Sequence, residues 1–296
     1  MAIEARTKTT GIIEVFDGTK DGKKAYLNPS TGATNLNPKK VHNIEVLDIR
    51  ALEPQPTVKD IGHEIVKSPT TLTVEQLLND TTPEGKSFIK ENYWPEAASL
   101  VQQQSGAAHV EPWHFSVRKQ TVGYHPDEIF FMRTGVSQPA STLHIDNNHD
   151  TAFDHMKREL GEEKAKSMVE KYKRWAIFNV WRPIGIPVQR WPLLFVDYSH
   201  VPGSMQYDQD TERIFRVDNP EYYKSHDNFL KYHPEYQYRY ASNLTPEEAL
   251  IFKDYDSRKD KIRGTPHGGF QDDATAKDAP ARNSIEVRLF AFFDDE

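Results

Sequence analysis

From Trp113 to the C-terminus the sequence is a string of short strand-like runs: "HFSVRKQ", "EIFFMR", "STLHID", "WAIFNVW", "LLFVDYS", "YQYRYAS" and "SIEVRLFAFF". Many short strands parted by turn signals favour a sandwich or barrel, because a parallel sheet needs a helix between successive strands. Two helical patterns interrupt the series. "AFDHMKRELGEEKAKSMVEKYK" brings Phe153, Met156, Leu160, Met168 and Tyr172 near one face, which predicts a long helix from about Ala152 to Lys173. "TPEEALIFKDYDS" offers Thr245 as a cap, Pro246 in the first turn and Glu248 to close the box, which predicts a second. Two helices are too few for a regular strand–helix alternation.

The N-terminal third reads differently. "GIIEVFD" and "HNIEVLDIRALE" alternate as strands, and a helical stretch follows. Helix starts are expected at the Thr73/Gln76 capping box, at Thr82-Pro83 and again at Pro95, with an end near Gly106. No repeat or linker divides the chain. We expect one domain over residues 1–296: an N-terminal elaboration (1–112) and a β core (113–296) with a helical insert at about 152–173.

Bulk numbers remove several function classes. A net charge of −7 argues against a nucleic-acid partner, since phosphate binding needs a basic surface. The absence of cysteine excludes disulfides and thiolate chemistry, leaving His and carboxylates as metal ligands. The start "MAIEARTKTTGIIEVF" lacks the apolar run of a signal peptide, and no stretch approaches the roughly 18 apolar residues of a membrane span. A cytoplasmic protein with no membrane partner is expected. Oligomeric state has no signature here.

"TLHIDNNHDT" is the stretch richest in chemistry. On a strand, residues i and i+2 share a face, so His144 and Asp146 can offer ligands to one ion while Leu143 and Ile145 face the core. Twelve histidines make a His-x-Asp pair unremarkable by chance, and the chain holds a second at His125–Asp127 and a related His233–Glu235. Proline inside both of those favours turns over central strands. A distant partner is available 121 residues after Asp146, where "GTPHGGF" sets His267 between proline and glycines. Two histidines and one carboxylate are the facial triad that holds Fe(II) with open positions on one side. His149 falls where the strand gives way to the helix and reads as a surface histidine or one behind the ligands; Asp150 fits a helix N-cap.

Downstream, "RNSIEVRLFAFF" places Arg282, Ser284, Glu286 and Arg288 on one strand face and Ile285, Val287, Leu289 and Ala291 on the other. Two arginines on so apolar a strand suit a carboxylate ligand, which the guanidinium grips as a planar fork. Arg118 in "HFSVRK" and Arg182 in "NVWRP" are polar residues in apolar runs, each open to a pocket role or a buried structural one. Asn179 and Trp181 share a face and are equally open to pocket lining or core packing.

The order His-x-Asp, distant His, Arg-x-Ser resembles the iron(II)/2-oxoglutarate-dependent oxygenases. The chain is most similar to the fungal and bacterial hydroxylase/desaturase family that includes gibberellin desaturases and a cephamycin-methoxylation component. Segments carrying the resemblance span most of the chain: "AYLNPSTGATN", "VLDIRALE", "HFSVRK", "LHID", "RWAIFNVWRPIGIPV", "PLLFVD", "LTPEEALIFKDYDS", "PHGGF" and "ARNSIEVR". It implies a mainly β fold with flanking helices, a double-stranded β-helix (the jelly roll of cupins) with a helical and β N-terminal elaboration. It implies that His144, Asp146 and His267 bind Fe(II) and that Arg282 grips the far carboxylate of 2-oxoglutarate with Ser284 beside it. Arg288 maps onto a second arginine seen in nucleic-acid-demethylating relatives, or else pairs with Glu286. Arg118, Asn179, Trp181 and Arg182 are candidate pocket residues.

The implied reaction consumes 2-oxoglutarate and O2 and removes hydrogen from an unactivated carbon of a small molecule, as in secondary-metabolite biosynthesis. Hydroxylation, desaturation or ring formation follows. Rival readings are a cupin-like iron oxygenase that does not use 2-oxoglutarate, a nucleic-acid demethylase, a binding protein with an idle triad, and a metal-dependent hydrolase. The segment from "VPGSMQYDQDTERIF" to "NPEYYKSHDNF" reads as a lid or as a surface excursion.

Overall fold

Period-2 runs along the chain become strands of two sheets in a computed structural model. It describes residues 6–28, 31–119, 139–149, 151–201, 210–216, 226–259 and 261–294. In chain order these hold β1 (Lys8–Val15), β2 (Tyr26–Leu27), β3 (Lys40–Asp48), β4 (His63–Lys67), α1 (Val74–Leu78), α2 (Pro83–Ser105), β5 (His109–Lys119) and β6 (His144–Ile145). Next come α3 (Ala152–Leu160), α4 (Glu162–Lys171), β7 (Arg174–Ile184), β8 (Leu193–Asp197), β9 (Thr211–Arg216) and β10 (His226–Leu230). The chain closes with β11 (Gln237–Tyr240), β12 (Glu248–Asp256), β13 (His267–Gly269), β14 (Gln271–Asp272) and β15 (Asn283–Phe293).

Among the described residues the larger sheet runs β14-β1-β3-β11-β8-β13-β6-β10-β9-β2 and the smaller β4-β12-β7-β15-β5. Pairing is antiparallel except for β3 with β11 and β2 with β9. β15 lies between β7 and β5, so its alternation decides what each face of the smaller sheet carries. Outward, Ile285, Val287, Leu289 and Ala291 pack with Ile89, Tyr93, Ala97 and Leu100 of α2. Inward, two apolar clusters flank the sheet's centre. At one end Trp181, Leu250 and Phe252 meet Leu193 and Phe195 of β8. At the other, Trp175, Ile177, Tyr255, Phe290 and Phe292 are covered by Met156 of α3 and Ala165 of α4. Between them the face turns polar, with Asn179, Asp254, Ser284 and Glu286 all buried.

Three local expectations need correction. "TPEEALIFKDYDS" is not a helix. Thr245 and Glu248 do form a capping-type turn, the Glu248 carboxylate accepting from the Thr245 N–H (2.9 Å) and hydroxyl (3.0 Å), but β12 starts there. Ala249 and Ile251 are buried under α2 while Leu250 and Phe252 are buried between the sheets. A strand buried on both faces has no polar alternation to distinguish it from a helix. The insert at 152–173 is two helices, because Gly161 at φ 86° breaks it. The start expected at Pro95 lies inside α2, which runs unbroken from Pro83 to the Gly106 cap. An internal proline costs about 3 kcal/mol, and the buried stripe of Ile89, Tyr93, Ala97, Leu100 and Val101 offsets it. The caps at Thr73 and Thr82 form as expected.

"EIFFMR", the His125–Asp127 pair, Asp150 and most of the segment read as a lid lie outside the described residues. No described helix is long and apolar enough to cross a membrane.

Candidate metal centre

Strand alternation delivers the first two donors. Leu143 and Ile145 are buried in the larger sheet's core, so His144 and Asp146 turn to the other side. β13 pairs with β6 so that His267 stands in register opposite His144, the rings 4.6 Å apart. Gly268 eases the approach: a Cβ there would lie a tight 3.1 Å from Leu143 Cδ2 and 3.2 Å from the Thr142 carbonyl. That is the physical content of the "PHGGF" motif.

Each imidazole is oriented from behind. His144 Nδ1 donates to the Thr142 carbonyl (2.7 Å) and His267 Nδ1 to that of Thr265 (3.0 Å). A carbonyl cannot donate, so Nδ1 carries the proton and Nε2 is left as the ligand atom in both rings. One donor atom each from His144, Asp146 and His267 lies within 4.8 Å of the others. His267 is buried, and burial with His144 nearby pushes its pKa down to about 4, so it stays neutral at physiological pH. Burial would push the Asp146 carboxyl up. The charge of Arg288, the largest opposing influence, outweighs it and holds the group well below the usual carboxylate range. Both shifts favour the forms of His267 and Asp146 that bind a metal. Two imidazole nitrogens and one carboxylate oxygen fit Fe(II).

Asp146 is gripped on several sides. Its Oδ2 accepts from Arg288 Nη2 (2.8 Å) and Asn179 Nδ2 (3.4 Å). Its backbone N–H donates to Asp254 Oδ1 (3.0 Å), and Asn147 Nδ2 donates to Asp254 Oδ2 (2.5 Å). Burial and the Asp146 charge push the Asp254 carboxyl well above its usual range. Asp254 escaped sequence reasoning because it sits in the run mistaken for a helix; a carboxylate amid "ALIFKDYD" was the available signal.

A small, partly open pocket lies beside the triad, lined by Arg118, Trp181, Leu193, Arg282, Glu286 and Arg288 with His144 and His267. Arg282 is 3% exposed and lies over the Trp181 ring at 5.0 Å. Ser284 is 1% exposed, and its Oγ has no hydrogen-bond partner among the described residues. Buried hydroxyls are normally satisfied, so Ser284 Oγ is left able to donate to a ligand acceptor. Asn179 Oδ1 is orphaned too.

Arg118 stands across the β5–β15 register from Ser284 and lines the pocket. Glu286 also lines it, although sequence reasoning treated it only as a partner for Arg288. Arg182 must be corrected: it points to the opposite face, where it donates to Tyr93 Oη (2.9 Å), the Pro246 carbonyl (2.8 Å) and Ser68 Oγ (3.2 Å). One residue along a strand reverses the face, so Trp181 faces the pocket and Arg182 the helix. His149 is exposed and outside the group, and His233–Glu235 lies in a turn before β11.

Residues 13–292 match a family profile described as "Oxidoreductase/YMDC permease-like domain". The chain is 35% identical to Oxidoreductase R1 of Phoma sp., over 99% of this chain and 100% of that one. It is 27% identical to hydroxylase/desaturase efuI of Hormonema carpetanum, over 100% and 98%. It is 26% identical to the Fe(II)/2-oxoglutarate-dependent dioxygenase nvfI of Aspergillus novofumigatus, over 93% and 92%. Among solved structures, the iron and alpha-ketoglutarate-dependent endoperoxidase NvfI superposes with a TM-score of 0.79 over 98% of this chain and 99% of that one. At 23% identity this is a likeness of fold.

Proposed function

The chain belongs to the hydroxylase/desaturase family of iron(II)/2-oxoglutarate-dependent oxygenases, and from that membership we propose that His144, Asp146 and His267 hold the iron while Arg282 and Ser284 receive the far carboxylate of 2-oxoglutarate. The protein is an oxidoreductase, a dioxygenase that uses Fe(II), 2-oxoglutarate and O2 on a small molecule. With iron bound, this chemistry couples conversion of 2-oxoglutarate and O2 to succinate and CO2 with removal of hydrogen from an unactivated carbon.

The protein's own residues supply placement. Thr142 and Thr265 carbonyls fix the two rings; Arg282 offers its guanidinium and Ser284 its hydroxyl to one carboxylate. Trp181 backs the arginine, and the apolar clusters on either side keep bulk water from the polar centre. In the same reading the two sheets form a double-stranded β-helix, with the chain before β5 as its elaboration. Arg118, Glu286 and Trp181 line the space for substrate, where hydroxylation, desaturation and ring formation are separated by how a carbon is held.

One observation carries this reading: donor atoms of His144, Asp146 and His267 lie within 4.8 Å of one another, and the buried Arg282 lines the same pocket as the two imidazoles. The test is anaerobic Fe(II) titration followed by O2-dependent succinate release from 2-oxoglutarate, with Asp146→Ala as control. Iron uptake and succinate formation are expected, both lost in the variant. Wild-type protein that takes up no ferrous iron under reductant would sink the reading.

A further inference from the structure

Asp146 does not present its two oxygens equally. Oδ1 faces His144 Nε2 at 3.5 Å. Oδ2 is taken by Arg288 Nη2 at 2.8 Å and approached by Asn179 Nδ2 at 3.4 Å. Arg288 and Asn179 are register partners on β15 and β7, so both donors rise from one rung of the sheet. Glu286 accepts from Arg288 Nε at 3.2 Å and is buried. That second contact pins the guanidinium plane and offsets its charge, so Arg288 is held against Asp146.

We propose that Arg288, pinned by Glu286 and assisted by Asn179, is a positioning residue that holds Oδ2 of Asp146 away from the metal, so that the carboxylate ligates through Oδ1 alone. The inference rests on the triad being the iron site. Its consequence is positional. A triad with a one-oxygen carboxylate leaves three places on an octahedral ion. Those places would be where the cosubstrates of a bound metal are received. A carboxylate ligating through both oxygens would occupy one of them. On this view the second arginine of "RNSIEVR" serves the metal's open position and not cosubstrate affinity.

Mn(II) replaces iron in the test, without 2-oxoglutarate. Its paramagnetic resonance line broadens in 17O-enriched water with the number of bound waters, and the free-ion signal gives affinity. Wild type should hold Mn(II) with three exchangeable waters. Arg288→Met combined with Glu286→Gln, which avoids stranding a buried carboxylate, should bind Mn(II) at least as tightly but with two waters. Arg288→Lys, which keeps a cationic donor, should return the count toward three. A count of three in the double variant, or two in wild type, overturns the inference while leaving the iron site standing. If the double variant does not fold, a wild-type count of two still overturns the inference. Wild type that binds no Mn(II) removes the site itself. A purely structural role for Arg288 would lower stability without changing the count.

Discussion

Replacing Ser284 with alanine should move stability and cosubstrate affinity in opposite directions. Ser284 Oγ is buried and orphaned among the described residues. A buried hydroxyl without a partner carries a desolvation cost of about 1–3 kcal/mol. Alanine removes that cost and loses only a few contacts to Oγ, so the ligand-free protein should gain about 1 kcal/mol, or roughly 2 °C in Tm. With 2-oxoglutarate present the sign reverses. The hydroxyl then donates to a carboxylate, an interaction worth about 1.5–3 kcal/mol, so the variant should bind the cosubstrate about 10- to 100-fold more weakly. Thermal melting of metal-loaded protein and calorimetric titration with 2-oxoglutarate measure the two effects. A variant that melts lower and binds 2-oxoglutarate as wild type does would refute the reasoning, because the hydroxyl would then serve the fold and the cosubstrate would be held elsewhere.

Arg282→Leu should retain Mn(II) or Fe(II) uptake but raise the 2-oxoglutarate requirement at least tenfold, since truncating one side of a buried charge pair costs about 2–5 kcal/mol; an unchanged requirement would place the cosubstrate elsewhere. Arg182→Ala should lower stability by about 3 kcal/mol or more through the lost packing and the stranded Tyr93, Ser68 and Pro246 groups. In the folded fraction 2-oxoglutarate affinity should be unaffected, and a selective loss of affinity would contradict the outward placement. Burial pushes the pKa of His63 down to about 3 from its ordinary 6.5. The unfolded chain therefore binds a proton that the folded one refuses, and the stability is whole above about pH 6.5 and drains as pH falls toward 3. His63→Phe, which keeps the stack on Phe195, should be less acid-sensitive than wild type. Melting curves of metal-free protein between pH 7.5 and 4.5 would show the gap opening downward, and parallel curves would count against it.

What the sequence made legible follows from how local each signal is. The facing of His144 and Asp146 against Leu143 and Ile145 is a period-2 pattern four residues long, and it survives intact. So does the division of β15 into an apolar and a polar face. β12 misled because its turn chemistry at Thr245–Glu248 is real while the run beyond it is buried on both sides. Arg182 remained ambiguous because strand parity requires knowing which neighbour is inward. Trp181 and Arg182 are adjacent, both nearly inaccessible, and only the position of α2 tells them apart. Asp254 could not be found from spacing at all, since it reaches Asp146 across 108 residues through a backbone hydrogen bond.

These cases share one cause. The pocket wall facing the metal ligands is built on the inward face of the smaller sheet, whose outward face packs on α2, so site and core are encoded in the same strands, one residue out of phase. Ile285, Val287 and Leu289 bind the sheet to α2, while Ser284 is buried on the opposite face and Glu286 and Arg288 line the pocket, Arg288 reaching Asp146. A one-residue slip of β15 would exchange the two sets. It would drive two charges under the helix and remove three apolar side chains from the core, at about 1.5–3 kcal/mol each for the apolar burial alone. That approaches the whole stability of an ordinary domain, about 5–15 kcal/mol. Register along β5–β15–β7 is thus enforced by the core. The spacing of Ser284 and Arg288 along β15 inherits its precision from that packing, and the Arg288–Asp146 contact adds to it.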